Sequence, residues 1–209
     1  GEHGYEAVGL EPFSLGEPTV EEHLQLIRAP LEDAAPKLGK FDVITLWHVL
    51  EHLHTPVETL RKLSELLNPG GALIISVPNF QSVQSQVFGG SWFHLDPPRH
   101  LLHFEPGTLS ETLSRAGFQL DRERKFFPEY GSSGWVQSAL NRVLPHNNYL
   151  YEVVKDRGAL SRMSAASVAA HLAGSVILGA PVFALSVPLE ALAAAANRPA
   201  ALTVSAVKR

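Results

Sequence analysis

Residues 66–79 read LLNPGGALIISVPN, and the apolar run inside them decides the fold. ALIISVP, residues 72–78, is continuously apolar rather than alternating, and Pro78 stops it. Continuous apolarity means burial on both faces, which predicts a central strand of a parallel α/β sheet with helices on either side. Just upstream, TPVETLRKLSELL (55–67) has the pattern of an amphipathic helix. Thr55 is its expected N-cap, Pro56 the first helical residue and Glu58 the partner in a capping box. Leu60, Leu63, Leu66 and Leu67 form the stripe that should face the sheet. Gly70 and Gly71 are read as the turn between helix and strand.

Further upstream, FDVITLWHVL (41–50) begins another apolar strand, and PTVEEHLQLI (18–27) is compatible with a short helix. Tyr5 to Leu10 reads as a short strand. Glu11 stands at its C-terminal end and Pro12 ends the pairing, which is how a sheet presents a carboxylate to a ligand. Downstream, FQSVQSQVFGGSWFHLDPPRHLLHFEP (80–106) loses regularity and is rich in Gln, Ser, His and aromatic residues. Long ordered loops of this kind usually bind ligands or cover sites. TLSETLSRAGF (108–118) is a short helix with Thr108 as cap and Gly117 at its close. QLDRERKFF is a strand near the sheet edge, and ALTVSAVK is a last strand. A long, mainly helical stretch separates these two strands, so an antiparallel pair at the end of a mostly parallel sheet is expected.

The chain has 209 residues, enough for one domain with a core plus a modest appendage. The 17 Lys and Arg are scattered, and the formal net charge is −4, so nucleic acid is not an expected partner. Without cysteine there is no disulfide, thiolate nucleophile or Cys-bound metal. No basic, apolar, cleavable leader is visible, and a cytoplasmic location is expected. One stretch complicates that location. Residues 164–189 contain no Asp, Glu, Lys or Arg and exceed the ~20 apolar residues of a spanning helix. Pro181 and Pro188 suggest a broken helix pair serving as a buried cover or homodimer interface. Peripheral membrane contact and a true span are the other readings of this stretch.

Taken in order, the acidic strand end, FDVITLWHVLEHL, LLNPGGALIISVPN and HLLHFEPGTLSETLSRAGF resemble the class I S-adenosylmethionine-dependent methyltransferases. The nearest branch includes ubiquinone-biosynthesis and sugar methyltransferases. The resemblance runs from about Tyr5 to Phe118 and includes the last strand. It implies a Rossmann-like, doubly wound, mostly parallel sheet with an antiparallel terminal strand and a helical insertion. Residues 1–130 and 199–209 would form the methyltransferase-like domain, and 131–198 the apolar helical insertion or cover. The Gly-rich turn that follows the first strand of such domains is not found. The expected fold is therefore N-terminally incomplete, lacking a central strand between those that start at Tyr5 and Phe41. A segment of a longer protein, a non-catalytic scaffold or membrane-peripheral interaction module, and a different doubly wound binder are the competing explanations.

The resemblance also implies roles. Glu11 would accept hydrogen bonds from the two ribose hydroxyls of S-adenosylmethionine. Leu31 would cover the adenine, the backbone at Glu32 would read its edge and Asp33 would meet its amine. Trp47, His48 and Val49 would line the adenosine and methionine side. Trp92, Phe93, Arg99 and His103 would face a small-molecule acceptor, with Arg99 binding an anionic group or pairing with Asp96. For O-methylation, a neutral His is well matched to take the hydroxyl proton, with His100 first and His94 second. S-adenosylhomocysteine would be the product. His48 and His52 stand at i and i+4, but Glu51 is expected on a different face of the helix. Capping and packing account for these histidines better than a metal, and none is expected.

Overall fold

The computed structural model describes residues 4–11, 23–124, 128–144, 147–155 and 164–208. Two sheets carry the fold. In the smaller, β1 (Ala7–Leu10) pairs in parallel with β2 (Leu24–Ile27). The larger contains β3 (Phe41–Trp47), β4 (Leu67–Pro78), β5 (Phe118–Arg124) and β6 (Ala201–Lys208), in the order β3-β4-β6-β5. β3 and β4 run parallel, and β6 runs antiparallel to both its neighbours. The expected antiparallel pair is therefore β5 with β6, and β6 inserts between β4 and β5. Among the described residues no strand joins β1 to β3.

Helices α1 (Leu31–Ala34), α2 (Pro56–Leu66), α3 (Val83–Phe88) and α4 (Pro106–Arg115) connect these strands. Three more, α5 (Pro128–Val143), α6 (Tyr149–Lys155) and α7 (Ala165–Ala195), lie between β5 and β6. The expected stripe of α2 holds: Leu60, Leu63 and Leu66 are buried, as is Leu67. They meet Leu73, Ile75 and Val77 of β4, Leu109 and Leu113 of α4, and Leu202, Val204 and Ala206 of β6 in one core. Ser76, also fully buried, is satisfied by a 2.9 Å hydrogen bond to Thr203 across the β4–β6 ladder.

Several local expectations are corrected. Leu24–Ile27 is a strand paired with β1, so the helix expected over 18–27 does not reach its last four residues; Pro12 and residues 18–22 lie outside the described residues. Thr55 precedes α2 at ψ 66° and makes no side-chain cap bond, so the capping box with Glu58 is absent. Asn68 to Gly71 belong to β4, with Gly70 taking the required positive φ of 79°. α4 starts at Pro106 and is capped by Glu105, not Thr108. Thr108 is the other half of a reciprocal box, its Oγ1 accepting from the Glu105 N–H at 2.9 Å. Replacing Thr108 by Ala is expected to cost about 1 kcal/mol. Thr55→Ala, which removes no cap bond, should shift a urea midpoint far less.

The helix pair expected over 164–189 is one helix, α7, with Pro181 and Pro188 inside it. Its inner face packs on α5, where Glu190 is buried and accepts from the Ala200 N–H (2.6 Å), Trp135 Nε1 (3.2 Å) and Gln84 Nε2 (3.2 Å). Its outer face is open. Val176, Ile177, Phe183 and Leu192 are all more than half exposed, and Val168–Ala195 is long and apolar enough to cross a membrane by length and composition. α7 is thus largely exposed along its apolar stretch, rather than the cover buried within the chain that was one of its expected readings.

Candidate active site

At the C-terminal end of β3 the backbone reverses sharply. His48 adopts a left-handed φ of 52° while its N–H still donates to Ser76 O at 2.9 Å, and Leu50–His52 then form a single 3-10 turn. This breaks the helical spacing assumed from the sequence, so His48 and His52 do not share a helix face and Glu51 does not point away from them. Glu51 is instead 1 % exposed, and its Oε1 is 3.2 Å from His48 Nδ1. Its Oε2 has no hydrogen-bond partner.

The long segment after β4 folds back onto this turn. Leu101 and Leu102 both donate their N–H to Glu51 O, at 2.9 and 3.1 Å, which fixes the preceding residues against β3. Asp96, in a left-handed conformation, organises the bend: its backbone oxygen accepts from the Arg99 and His100 N–H groups. His100 consequently points its ring at Glu51, with Nε2 4.0 Å from Oε1, while Nδ1 bonds His94 O at 2.7 Å. His52 Nδ1 bonds Arg99 O at 2.8 Å, and the His52 and His100 rings lie 4.7 Å apart, edge to face. His94 stacks on His48 at 5.9 Å.

Four histidines and one buried carboxylate thus share one corner of the fold. Burial, together with neighbouring His48 and His100, pushes the His94 imidazole down to about 3, so it is neutral at pH 7. His100 is also lowered, chiefly by burial, against the opposing pull of its bond to His94 O and the Glu51 charge. Both loop candidates are brought together with His48.

The other expected acceptor residues divide. Trp92 is 2 % exposed and belongs to a small core with Phe88 and Trp135, so its indole is a packing element and not an open wall. Phe93 lies edge-on to Tyr151 at 5.1 Å, and its N–H donates to Ser138 Oγ at 2.9 Å, tying the loop to α5 and α6. Arg99 takes the second of its two expected roles: it bonds Asp96 Oδ1 at 2.8 Å, and that bond raises its already high proton affinity. His103 is exposed and stacks on Phe80 at 5.2 Å and 18°. Phe80 was not singled out from the sequence. Its position, directly after Asn79 at the exit of β4, was the available signal.

The residues expected at the cofactor lie at the ends of three elements. Glu11 follows β1, exposed, its N–H donating to Ile27 O at 3.0 Å. Leu31 opens α1 and packs half-buried against the main core. Glu32 bonds Lys62 Nζ at 2.9 Å, which lowers its proton affinity, and Asp33 is exposed. Trp47 and Val49 remain exposed at the exit of β3 although both are large and apolar. Exposed apolar side chains at the exit of β3, and exposed carboxylates after β1 and in α1, are the two kinds of group an adenosine takes, cover for its ring and an acceptor for its ribose. Among the described residues no Gly-rich turn of the phosphate-cradle or nucleotide type accompanies them.

Parallel strands with the candidate residues at or after their C-terminal ends, and an antiparallel terminal strand beside them, define a Rossmann-like α/β protein whose candidate site lies along the strand exits. The chain belongs to the methyltransferase domain family, whose model matches residues 1–123. The resemblance to class I S-adenosylmethionine-dependent methyltransferases thereby stands. Among curated relatives, ubiquinone biosynthesis O-methyltransferase of Xanthomonas axonopodis pv. citri is 32 % identical over 94 residues, covering 42 % of this chain and 39 % of that protein. The Azoarcus sp. protein of the same name is 29 % identical over 120 residues, covering 54 % and 51 %. The chain therefore spans about two-fifths to half the length of these relatives. A Listeria monocytogenes structure assigned as an S-adenosylmethionine-dependent methyltransferase aligns over the whole chain and 83 % of its own length, with a TM-score of 0.51 and 15 % identity, a likeness of fold.

Proposed function

We propose that the chain takes part in S-adenosylmethionine-dependent methylation of a hydroxyl group on a small-molecule acceptor. The family and its O-methyltransferase relatives support the reaction class. Glu11 would hold the ribose, Leu31 and the backbone at Glu32 the adenine, Asp33 its amine, and Trp47, His48 and Val49 the rest of the cofactor. When bound, the cofactor supplies an electrophilic methyl on a sulfur leaving group and departs as S-adenosylhomocysteine. The protein's share is alignment, exclusion of water and removal of the hydroxyl proton.

The observation that carries the acceptor side is the His100 ring. Its Nδ1 is engaged by His94 O, so the proton sits there and Nε2 presents a lone pair at the exit of β3. Of the two loop candidates His100 is therefore the proton acceptor. His94, fully buried and with a pKa near 3, is too weak a base and serves to place His100. Phe93, the Phe80–His103 stack and the Arg99–Asp96 pair surround the acceptor.

Calorimetric titration of the full-length protein with S-adenosylhomocysteine tests the reading. Wild type is expected to bind, and Glu11→Ala to weaken binding by about 10- to 100-fold, the range for losing charge-assisted hydrogen bonds. Absence of binding by the folded full-length protein would leave a scaffold without catalysis and overturn the proposal.

A further inference from the structure

Helix α7 is built inside out. A helix on the surface of a water-soluble fold turns its polar side chains to water and its apolar ones to the core. In α7 the polar side chains turn inward. His171, Ser186 and Glu190 are buried, His171 against the Tyr149 ring at a centroid distance of 4.3 Å. Glu190, the only charged residue of the helix, is held there by Ala200, Trp135 and Gln84. α5 behind it is also polar inside, with Ser132, Gln137, Ser138 and Asn141 buried. Outward stand Leu172, Val176, Ile177, Phe183, Leu185 and Leu192, of which Val176 and Ile177 are each 70 % exposed. At about 3.6 residues per turn, these six positions spread over more than half of the helix circumference. A second protein surface covers a stripe of roughly 100°, whereas lipid covers whatever width it is offered. Polar contacts within and aliphatic side chains without are the arrangement of helices whose surroundings are hydrocarbon.

The charge distribution points the same way. The chain is −4 overall, yet within residues 155–164, which lead into α7, Lys155, Arg157 and Arg162 stand against Asp156 alone. Arg142 is exposed near the end of α5, two residues before Leu144, which lies against Gly174 of α7. Basic side chains beside an apolar helix suit anionic lipid headgroups. Two further features favour a helix lying along a bilayer over one crossing it. Pro181 and Pro188 withhold the helical donor from the carbonyls of Ile177 and Ala184, both exposed residues. That loss is costly in the hydrocarbon core, while water is at hand at headgroup depth. One side of α7 is also occupied by α5, from Gly174 beside Leu144 to Glu190 beside Gly131, so lipid reaches only the other. We propose that α7 lays its outer face on an anionic phospholipid bilayer, buried about 5–10 Å at the boundary of headgroups and acyl chains, with α5 on its far side.

Flotation of the full-length protein with phosphatidylcholine vesicles containing about one-third phosphatidylglycerol tests the contact. Wild type is expected to float with these vesicles and to partition at least about 10-fold more weakly onto pure phosphatidylcholine. Ile177→Gln combined with Phe183→Gln should lower partition onto the anionic vesicles at least about 10-fold, through the apolar area no longer buried. Both side chains are exposed in the chain itself, so circular dichroism and the thermal midpoint of the double variant should match wild type and separate a lost contact from a lost fold. A folded wild type that does not float with the anionic vesicles, or a double variant that floats undiminished, overturns the proposal. So does a wild-type dimer in sedimentation equilibrium that the double variant abolishes with no vesicle binding by either, which assigns the face to a second copy of the chain.

Discussion

Ile75→Ala is expected to lower the stability of the protein by about 2–5 kcal/mol, the largest effect of any single change considered for this fold. Ile75 is fully buried on β4, with Leu46 of β3 opposite on one side and Val204 of β6 on the other. Truncation leaves a cavity between two ladders and under α2, and neither strand can close it without losing register. Val43→Ala is the matched comparison. Val43 sits on β3 opposite Ala72 and is 51 % exposed, so its loss should cost under about 1 kcal/mol. Guanidinium midpoints of the two variants measure the contrast. Equal midpoints would mean that β4 is not the centre of the core.

Gly131→Ala should be the second most damaging change, about 1–3 kcal/mol from overpacking and at the upper end of that range. A methyl at this position of α5 would fall within 2.6 Å of Glu190 Cδ and closer still to Cγ. Glu190 cannot yield easily, because its carboxylate is buried and held by Ala200, Trp135 and Gln84. Moving it would break those bonds and leave a buried carboxyl group without partners. Gly179→Ala, whose new methyl would rest 3.6 Å from Val136 on α5, is the control. There the gain in helix propensity, about 0.5–1 kcal/mol, should outweigh any crowding. Thermal unfolding of both variants gives the comparison, and a neutral Gly131→Ala would show that α7 does not seat against α5 as described.

The stretch from Phe41 to Pro78 could be read from sequence because its signals are local and redundant. A Leu stripe at helical spacing and an uninterrupted apolar run each specify one environment, and both faced the core as expected. Caps and short strands were read less well, since each depends on a single backbone angle or a distant partner. LQLI has apolar residues that suit a helix or a strand alike, and only pairing with Ala7–Leu10 decides between them. Thr55 has the right chemistry for a cap, but its backbone does not place the hydroxyl near the first N–H groups. Pro181 and Pro188 argued for a break, yet packing against α5 carries the helix through both.

The site shows the same division. His94 and His100 were legible as candidates by residue type, and their place in an irregular segment pointed to function. The approach of His100 to Glu51, and of His94 to His48, was not, because it depends on a left-handed His48 and on two backbone hydrogen bonds from Leu101 and Leu102. Trp92 was misread for the opposite reason: an aromatic residue in a loop suggests a binding wall, while tertiary packing with Phe88 and Trp135 makes it core.

The position of β6 between β4 and β5 sets the order in which the sheet can assemble. β3, α2 and β4 are neighbours in sequence and can form early with little loss of chain entropy. β6 cannot join them until the chain has closed a loop on the scale of the 127 residues that separate Ser76 from Thr203. β5 pairs within this sheet with β6 alone, so although it precedes β6 by some eighty residues it has no ladder to enter until β6 arrives. Half of the larger sheet is therefore a late, long-range event, and helices α5 to α7 are the span across which it must be completed.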